Sequence, residues 1–184
     1  MTASEADALL SALARTIAIA PGLSDDELHE AERTFSIRFP PDLRLFLSRG
    51  LPAGDRFPDW RARDATIDER LRWPEEGILF DVDQGLWPAA LGQKPANAAQ
   101  ARAQVSAAVR AAPRLIPVFS HRYLPAEPLR AGNPVFSVYQ SDIIRYGDDL
   151  TSYLQHEFGF RLPREPDPDS GRRIRFWDDI VDEG

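Results

Sequence analysis

The chain has 184 residues, 43% hydrophobic and 28% charged, which predicts one globular domain with a sizeable core. Its formal net charge of −7 disfavours a general nucleic-acid binder, since such a protein needs a basic face to neutralise phosphates. The lack of cysteine excludes disulfides, thiolate zinc sites and a cysteine nucleophile. No run approaches the ~20 apolar residues of a membrane span.

The N-terminal segment predicts an amphipathic helix. Leu9, Leu13 and Ile17 recur at four-residue spacing, Ser4 is placed to cap the helix, and Pro21 is placed to end it. Acidic residues occupy the positions where a signal peptide carries basic ones. We therefore expect a cytoplasmic protein.

Two further helices are predicted before residue 51. Ser24 and Glu27 have the spacing of a capping box, which predicts a helix that begins after Ser24. Pro40 and Pro41 interrupt the pattern, because the residue before a proline avoids the helical region. A short third helix follows and ends at Gly50.

The middle of the chain alternates between loops and short predicted elements. Ala65–Arg72 is predicted as a short helix and Gly77–Val82 as the first strand, followed by a turn. Asn97–Ala112 is rich in alanine, which predicts a helix, and Pro113 ends it.

The segment from Leu115 to Tyr146 predicts an antiparallel unit of three strands. Leu115–Phe119, Pro134–Val138 and Ile143–Tyr146 are short apolar runs bounded by turn residues. A polar and aromatic triplet, His121-Arg122-Tyr123, lies in the connection between the first two runs. This part of the sequence therefore suggests both a sheet and a site.

The C-terminal part predicts one more helix and an acidic tail. Asp148 or Asp149 is placed to cap a helix that reaches Phe158. Residues 163–173 have the composition of an exposed linker, and the acidic tail after them carries an apolar patch that can dock on the domain. We expect a single domain over residues 1–160, with a linker and tail over residues 161–184.

The triplet His121, Arg122 and Tyr123 is the leading candidate for a contact with a ligand or a protein partner, because cationic and aromatic side chains anchor interfaces. The alternative is structural: Tyr123 covers the core, Arg122 pairs with a nearby acid, and His121 bonds backbone groups. The structural interpretation is favoured, because buried polar aromatic residues commonly serve the fold.

Two further hypotheses concern the same triplet. Ser120, His121 and Asp142 suggest a hydrolase triad, but on a continuous strand Ser120 and His121 would point to opposite faces, and no G-x-S-x-G motif occurs. A small-molecule pocket is a further hypothesis. It would join the triplet to Gln140 and Tyr146.

A metal or cofactor site has little support in the sequence. Asp81 and Asp83 would share one face of the predicted strand and can hold a cation, although such a pair is more often solvated. The histidines do not pair at a metal-ligand spacing, and no phosphate-binding glycine loop occurs, so we expect no metal and no cofactor. The four tryptophans are expected mainly to seal loops to the core: Trp60, Trp73, Trp87 and Trp177.

Three segments resemble the SUKH superfamily, which includes the fungal Smi/Knr cell-wall regulators and many bacterial proteins. Residues 22–50 are similar to its early helix, proline turn and short helix, Leu115–Val118 and Asn133–Val138 to two of its strands, and Asp149–Leu154 to its closing helix. The matching positions of the early pattern are Glu32, Phe39, Pro40, Asp42, Leu43, Phe46, Leu47 and Gly50.

The resemblance implies an α+β fold with a mixed or antiparallel central sheet and helices packed mainly on one face. It implies a non-enzymatic module that binds proteins, with no catalytic residues to transfer. The bacterial relatives are implied to be mainly immunity proteins that neutralise a toxin. The acidic balance of this chain favours a toxin with a basic surface, and we expect a monomer or weak dimer. A regulatory interaction protein is the alternative within the family.

Overall fold

The computed structural model describes residues 1–163 and 170–183. Over these residues it contains seven α-helices and two antiparallel sheets, which confirms the α+β class. The N-terminal elements are α1 (Ala3–Leu13), β1 (Ala18–Pro21), α2 (Asp25–Thr34), α3 (Pro41–Arg49) and β2 (Gly50–Ala53). Then come α4 (Ala65–Asp83), a 3₁₀ turn (Ala89–Leu91), α5 (Ala98–Ala111), β3 (Leu115–Phe119), β4 (Arg122–Pro125), β5 (Val135–Tyr139), β6 (Asp142–Gly147), α6 (Leu150–Glu157) and α7 (Trp177–Val181).

The first helix is shorter than its apolar spacing predicts. Its cap is Thr2, whose hydroxyl accepts from the Glu5 N–H at 3.2 Å, so the prediction of Ser4 as the cap is wrong. The helix ends at Leu13, and β1 pairs antiparallel with β2. Both the capping box of Ser24 with Glu27 and the end of α3 at Gly50 are confirmed.

The predicted strand Gly77–Val82 is wrong, because these residues belong to the helix α4. Ile78 and Val82 lie one helical turn apart and are both buried against the sheet. Pro74 lies inside this helix, although proline has no N–H to donate to the carbonyl four residues earlier. That carbonyl belongs to Arg70, and the Tyr123 hydroxyl donates to it instead at 2.9 Å.

The main sheet has the order β3-β4-β5-β6 and is antiparallel throughout. It has one strand more than predicted. Phe119 pairs with Arg122 across a loop of only two residues, so the connection expected between strands is itself the strand β4. The loop between β5 and β6 also has two residues, because Tyr139 pairs with Asp142.

Helices lie against both faces of this sheet, whereas the expected arrangement had them mainly on one. Successive residues of a strand point to opposite faces, and Leu115 and Ile116 belong to different hydrophobic clusters. One cluster joins the Ile116 face to α1, α2, α3, α6 and the first turns of α4. The other joins the Leu115 face to α4, α5 and α7.

The C-terminal residues 170–183 pack on the Leu115 face. Trp177 is 1% exposed, and its indole N–H donates to the Pro113 carbonyl at 2.6 Å. Asp178 is also buried and accepts from Arg145 Nε at 2.5 Å and Nη2 at 2.8 Å. The predicted linker over residues 163–173 lies largely outside the described residues.

Candidate functional site

The loop between β3 and β4 (the first hairpin) and the loop between β5 and β6 (the second hairpin) lie at the same end of the main sheet. Together they form the centre of the candidate site. Each loop has two residues, and the first of each has a positive φ: 49° at Ser120 and 57° at Gln140. Glycine is the residue that normally occupies such a position, because other side chains are strained there. Because Ser120 and Gln140 carry side chains, each of these two conformations lowers the stability of the fold by about 1–2 kcal/mol.

A pocket of about 540 Å³ opens beside the first hairpin loop. His121 and Tyr139 form one wall, with their ring centroids 6.5 Å apart in an edge-to-face arrangement. The helix α4 forms the opposite wall with Trp73, and the polar rim mixes acids and arginines. The ionisable rim residues other than His121 and the tyrosines are Asp55, Arg56, Glu69, Arg70 and Glu76.

Tyr123 reaches the pocket, but its hydroxyl is committed to the fold through the Arg70 carbonyl. Burial raises the pKa of Tyr123 well above its ordinary value of 10.0, so the phenol stays protonated and can donate this bond. Tyr123 therefore satisfies a carbonyl that Pro74 leaves free. It contributes a rigid wall to the pocket.

His121 is half-buried and lies 3.2 Å from the Ser120 hydroxyl, measured from Nδ1 to Oγ. The expectation that these side chains point to opposite faces is wrong, because both residues are in the hairpin loop rather than on a strand. Burial, followed by the charge of Arg122, lowers the pKa of His121 below its ordinary value of 6.5. The imidazole is therefore neutral at pH 7.

The third residue of the hypothetical triad does not join this pair. Asp142 lines a separate groove on the other side of the second hairpin, together with Ser141 and Ile144. No described carboxylate is hydrogen-bonded to the His121 ring. A serine and a histidine are therefore in contact, but the acid that would orient the base is lacking from the described part of the site.

Arg122 and Tyr146 lie on the opposite face of the sheet from the pocket. The Arg122 guanidinium stacks 3.8 Å from the centroid of the Tyr146 ring, and its Nη1 donates to the Ser137 hydroxyl at 2.9 Å. Its Nε lies 3.5 Å from a Glu157 carboxylate oxygen. Since Arg122 is 9% exposed, this is a closed polar cluster, not an open contact surface.

The structure thus divides the six candidate residues among four places. His121 and Tyr123 line the pocket, Arg122 and Tyr146 form the buried cluster, and Asp142 lies in the groove. The sixth candidate, Gln140, occupies the tip of the second hairpin. The hypothesis of one pocket that joins His121, Arg122, Tyr123, Gln140 and Tyr146 is therefore wrong.

The helix α4 holds the second hairpin in place. Asp81, which is 6% exposed, accepts from the Ser141 N–H at 2.9 Å and from its hydroxyl at 2.5 Å. The Trp73 indole donates to the Val138 carbonyl at 3.3 Å. A Cβ on Gly77 would lie 2.8 Å from Gln140 Cα, so only glycine permits this approach.

Asp81 and Asp83 do not form the cation-binding pair that was the less favoured interpretation of their spacing. Asp81 is buried against the hairpin, whereas Asp83 is exposed and ion-paired with Arg102. Among the residues that the structure describes, no group of three histidine or acidic side chains can hold a metal ion. None of the described helices is long and apolar enough to cross a membrane.

Exposed apolar side chains concentrate around the second hairpin. Six large hydrophobic residues of the described chain are exposed, and five of them lie on α4, in the loop after it, or on the hairpin itself. We call these five the hairpin patch: Trp73, Phe80, Leu86, Tyr139 and Ile144. The sixth, Leu129, lies in the loop between β4 and β5.

Sequence reasoning missed most of this patch. Tryptophans were expected to seal loops, and this holds for Trp60 and Trp177, which are each 1% exposed. Trp73 is 42% exposed instead. The signal was available in the spacing of Trp73 and Phe80, since residues seven apart lie on one helix face, but this segment was divided between a helix and a strand.

Positions that carry the resemblance to the SUKH superfamily serve the fold. A Glu32 carboxylate oxygen accepts from the Phe39 N–H at 2.9 Å, and Asp42 accepts from the Gly132 N–H at 3.0 Å. No protein-family model, curated protein or solved structure matches the chain. Membership of the superfamily therefore stays a prediction from these motifs.

Proposed function

We propose that this chain is a cytoplasmic module that binds a protein partner, and that it acts as a toxin-neutralising immunity protein of the SUKH type. The observation that carries the binding role is the hairpin patch. Isolated apolar residues on a surface need no explanation, but five of the six exposed large apolar residues of the described chain lie on one hairpin or on the helix and loop beside it, which favours an interaction site. The role as an immunity protein rests on the family resemblance.

The composition of the patch suits protein recognition. Trp73 and Tyr139 are large aromatic residues that are partly held by neighbours, so their burial by a partner costs little side-chain entropy. The residues around them include exposed acids at Glu69 and Asp142, whereas Glu76 is paired with Arg72. Together with the net charge of −7, these acids favour a basic partner through electrostatic steering.

A loss-of-binding experiment tests the proposal. The chain with Trp73→Ala and Tyr139→Ala is compared with the native chain as bait in extracts, and any protein that only the native chain retains is identified and purified. We expect the purified pair to bind at least about 30-fold more weakly with the double variant, because interface anchors contribute about 1 kcal/mol or more each. Leu129→Ala is the matched control.

The outcome also tests the immunity role. We expect the purified partner to arrest growth when it is expressed alone, and the native chain, but not the double variant, to restore growth. A partner that binds both chains equally well would contradict the hairpin patch as the interface. A harmless partner that still requires the patch would support the regulatory alternative over the immunity role.

Small-molecule binding or hydrolysis in the pocket is the second candidate function. One observation favours it: the Ser120 hydroxyl lies within hydrogen-bond distance of a neutral His121. A Ser120→Ala chain should lose all hydrolysis of activated esters if this pair is catalytic. Equal background rates in the native and variant chains would reject this function.

A further inference from the structure

The strand β6 is an edge of the main sheet, and part of its outer side is open. In an antiparallel pair, the backbone groups of successive residues point alternately towards and away from the neighbouring strand. The Val138 N–H donates to the His121 carbonyl at 2.9 Å, so the polar groups of Val138 face away from β6. Ile143 is paired with Val138, and its N–H and C=O therefore point away from the sheet.

Nothing in the described chain satisfies these two groups. No backbone or side-chain group of the described residues is hydrogen-bonded to the outward N–H and C=O of Ile143. The neighbouring Arg145 differs, because its side chain bonds Asp178 and the carbonyls of Gly171 and Arg172 and so covers that end of the strand. An open edge at Ile143 is a template for another strand.

A groove of about 470 Å³ runs beside this open edge. One side is the strand from Ser141 to Ile144, and the other is formed by Leu86, Trp87 and Val181. Ile144 and Leu86 are 47% and 57% exposed. The groove is thus apolar along its walls and offers unpaired backbone groups along one side.

The charge of the groove is of one sign. Its ionisable lining residues are Asp142 and Glu183, and both are exposed. Glu183 also accepts from the Ala89 N–H at 2.7 Å, which fixes it at the rim. No lysine, arginine or histidine is among the described residues that line the groove.

We propose that the groove binds an extended segment of a partner protein, which adds as a fifth strand to β6 and alternates apolar with basic residues. The outward backbone groups of Ile143 would pair with the added strand. Apolar side chains would contact Leu86 and Trp87 on the face that carries Ile143, and basic ones, on the opposite face, would meet Asp142. This mode of recognition combines main-chain affinity with side-chain selectivity. It deepens the proposed function and rests on it, since Leu86 and Ile144 belong to the hairpin patch.

A second copy of this chain is a poorer occupant. Two copies that paired through β6 would bring the acidic rims of both grooves together, Asp142 and Glu183 from each, and like charges at a contact are unfavourable. The chain as a whole carries a net charge of −7, which adds to this repulsion. A basic segment of another protein has the opposite sign and suits the groove better.

The experiment is a titration of the ¹⁵N-labelled full chain with synthetic peptides, followed by NMR. The probe is a blocked heptapeptide of alternating lysine and valine, and its control replaces every lysine by glutamate. We expect saturable shifts of the Ile143 and Ile144 amides and at least tenfold slower hydrogen exchange at Ile143. We expect at least tenfold weaker binding of the glutamate peptide.

N-methylated peptides separate strand addition from simple charge attraction. Successive amides of an extended peptide point to opposite sides. Only one of the two sets of amides, those of the lysines or those of the valines, would face β6. Methylation of that set should abolish binding, and methylation of the other set should leave it unchanged. Asp142→Lys should weaken binding at least fivefold, whereas Asp26→Lys, an equal change of charge in α2, should have no effect.

Three results would overturn the proposal: no shift at Ile143, equal binding of the two methylated peptides, or protection of Ile143 that grows with protein concentration alone and indicates self-association. The titration needs no natural partner, so it is independent of the capture experiment. In one outcome, the double variant Trp73→Ala with Tyr139→Ala fails to capture the partner while the Ile143 amide does not respond to the peptides. This combination would reject strand addition and leave the proposed function standing. Peptide binding without any capture would reject the proposed function alone.

Discussion

His121 and Arg122 are neighbours in the chain but lie in opposite environments. His121 borders an open pocket with exposed aromatic side chains, whereas Arg122 is enclosed by Ser137, Tyr146 and Glu157 on the other face of the sheet. The strand β4 begins at Arg122. His121 therefore stays in the hairpin loop at the surface, whereas the Arg122 side chain points from the strand into the interior. Three adjacent polar or aromatic residues therefore do not predict one site, because the position of the strand boundary decides which face each side chain joins.

The largest expected effect lies on the closed side. Arg122→Ala should lower the free energy of unfolding by about 3–5 kcal/mol, because it leaves Glu157 as an uncompensated charge that is only 18% exposed. It also removes the packing of the guanidinium on Tyr146. Denaturant unfolding measures the change. Tyr139→Ala, on the open side, is the control and should change stability by about 0.5 kcal/mol or less.

A second variant separates the charge from the packing. Arg122→Met with Glu157→Gln removes both charges and keeps an apolar stem against Tyr146, so it should be clearly more stable than Arg122→Ala. Arg122→Ala that unfolds no more easily than Tyr139→Ala would contradict the contrast between the two sides.

Tyr123 is buried beneath the open side and allows a sharper test. Tyr123→Phe should destabilise the fold by about 1–3 kcal/mol, because the Arg70 carbonyl loses the donor that replaces the missing N–H of Pro74. In a chain with Pro74→Ala the same change should cost much less, since the new backbone N–H at that position can donate to the carbonyl. A double-mutant cycle gives the coupling energy. Equal costs in both backgrounds would show that the hydroxyl does not compensate for the proline.

The sequence predicted elements where a local rule decides the outcome. Ser24 with Glu27 and Asp149 cap helices as expected, because capping depends on a few adjacent residues. The strands from Leu115 to Tyr146 were found for the same reason, although β4 was missed. The failures lie where distant residues decide: α4 continues through Pro74 because Tyr123, 49 positions later, supplies a donor. The hairpin patch was missed because it depends on that helix.

The contact between α4 and the second hairpin provides the next smaller effect. Gly77→Ala raises helix propensity by up to about 1 kcal/mol, but its Cβ would lie 2.8 Å from Gln140 Cα and push the hairpin away. We expect a net loss of about 1–2 kcal/mol. Shifts of the Ser141 and Tyr139 amides should accompany it in NMR spectra. The exposed Ala65, in the first turn of the same helix, offers a control in Ala65→Gly, which should cost about 1 kcal/mol or less without moving the hairpin.

The smallest effect concerns the charge of His121. Because burial and then Arg122 lower the pKa of His121 from its ordinary 6.5, its NMR titration midpoint should lie below 6.5. The unfolded chain binds the proton more tightly than the folded one. The contribution of His121 to stability is therefore complete above pH 6.5 and is lost as the pH falls through the pKa of the folded state.

Two charge variants test the cause of this shift in opposite directions. Arg56→Gln removes a cation that lowers the pKa of His121 and should raise the midpoint, whereas Glu157→Gln removes an anion that raises the pKa and should lower the midpoint. The difference in unfolding free energy between the native chain and His121→Gln should also shrink between pH 7.5 and pH 5. A midpoint at 6.5 that neither variant moves would mean that the imidazole is solvated. In that case the pocket wall next to Tyr139 would be looser than the ring contact implies, and the open side of the sheet would be more mobile at His121 than at the patch.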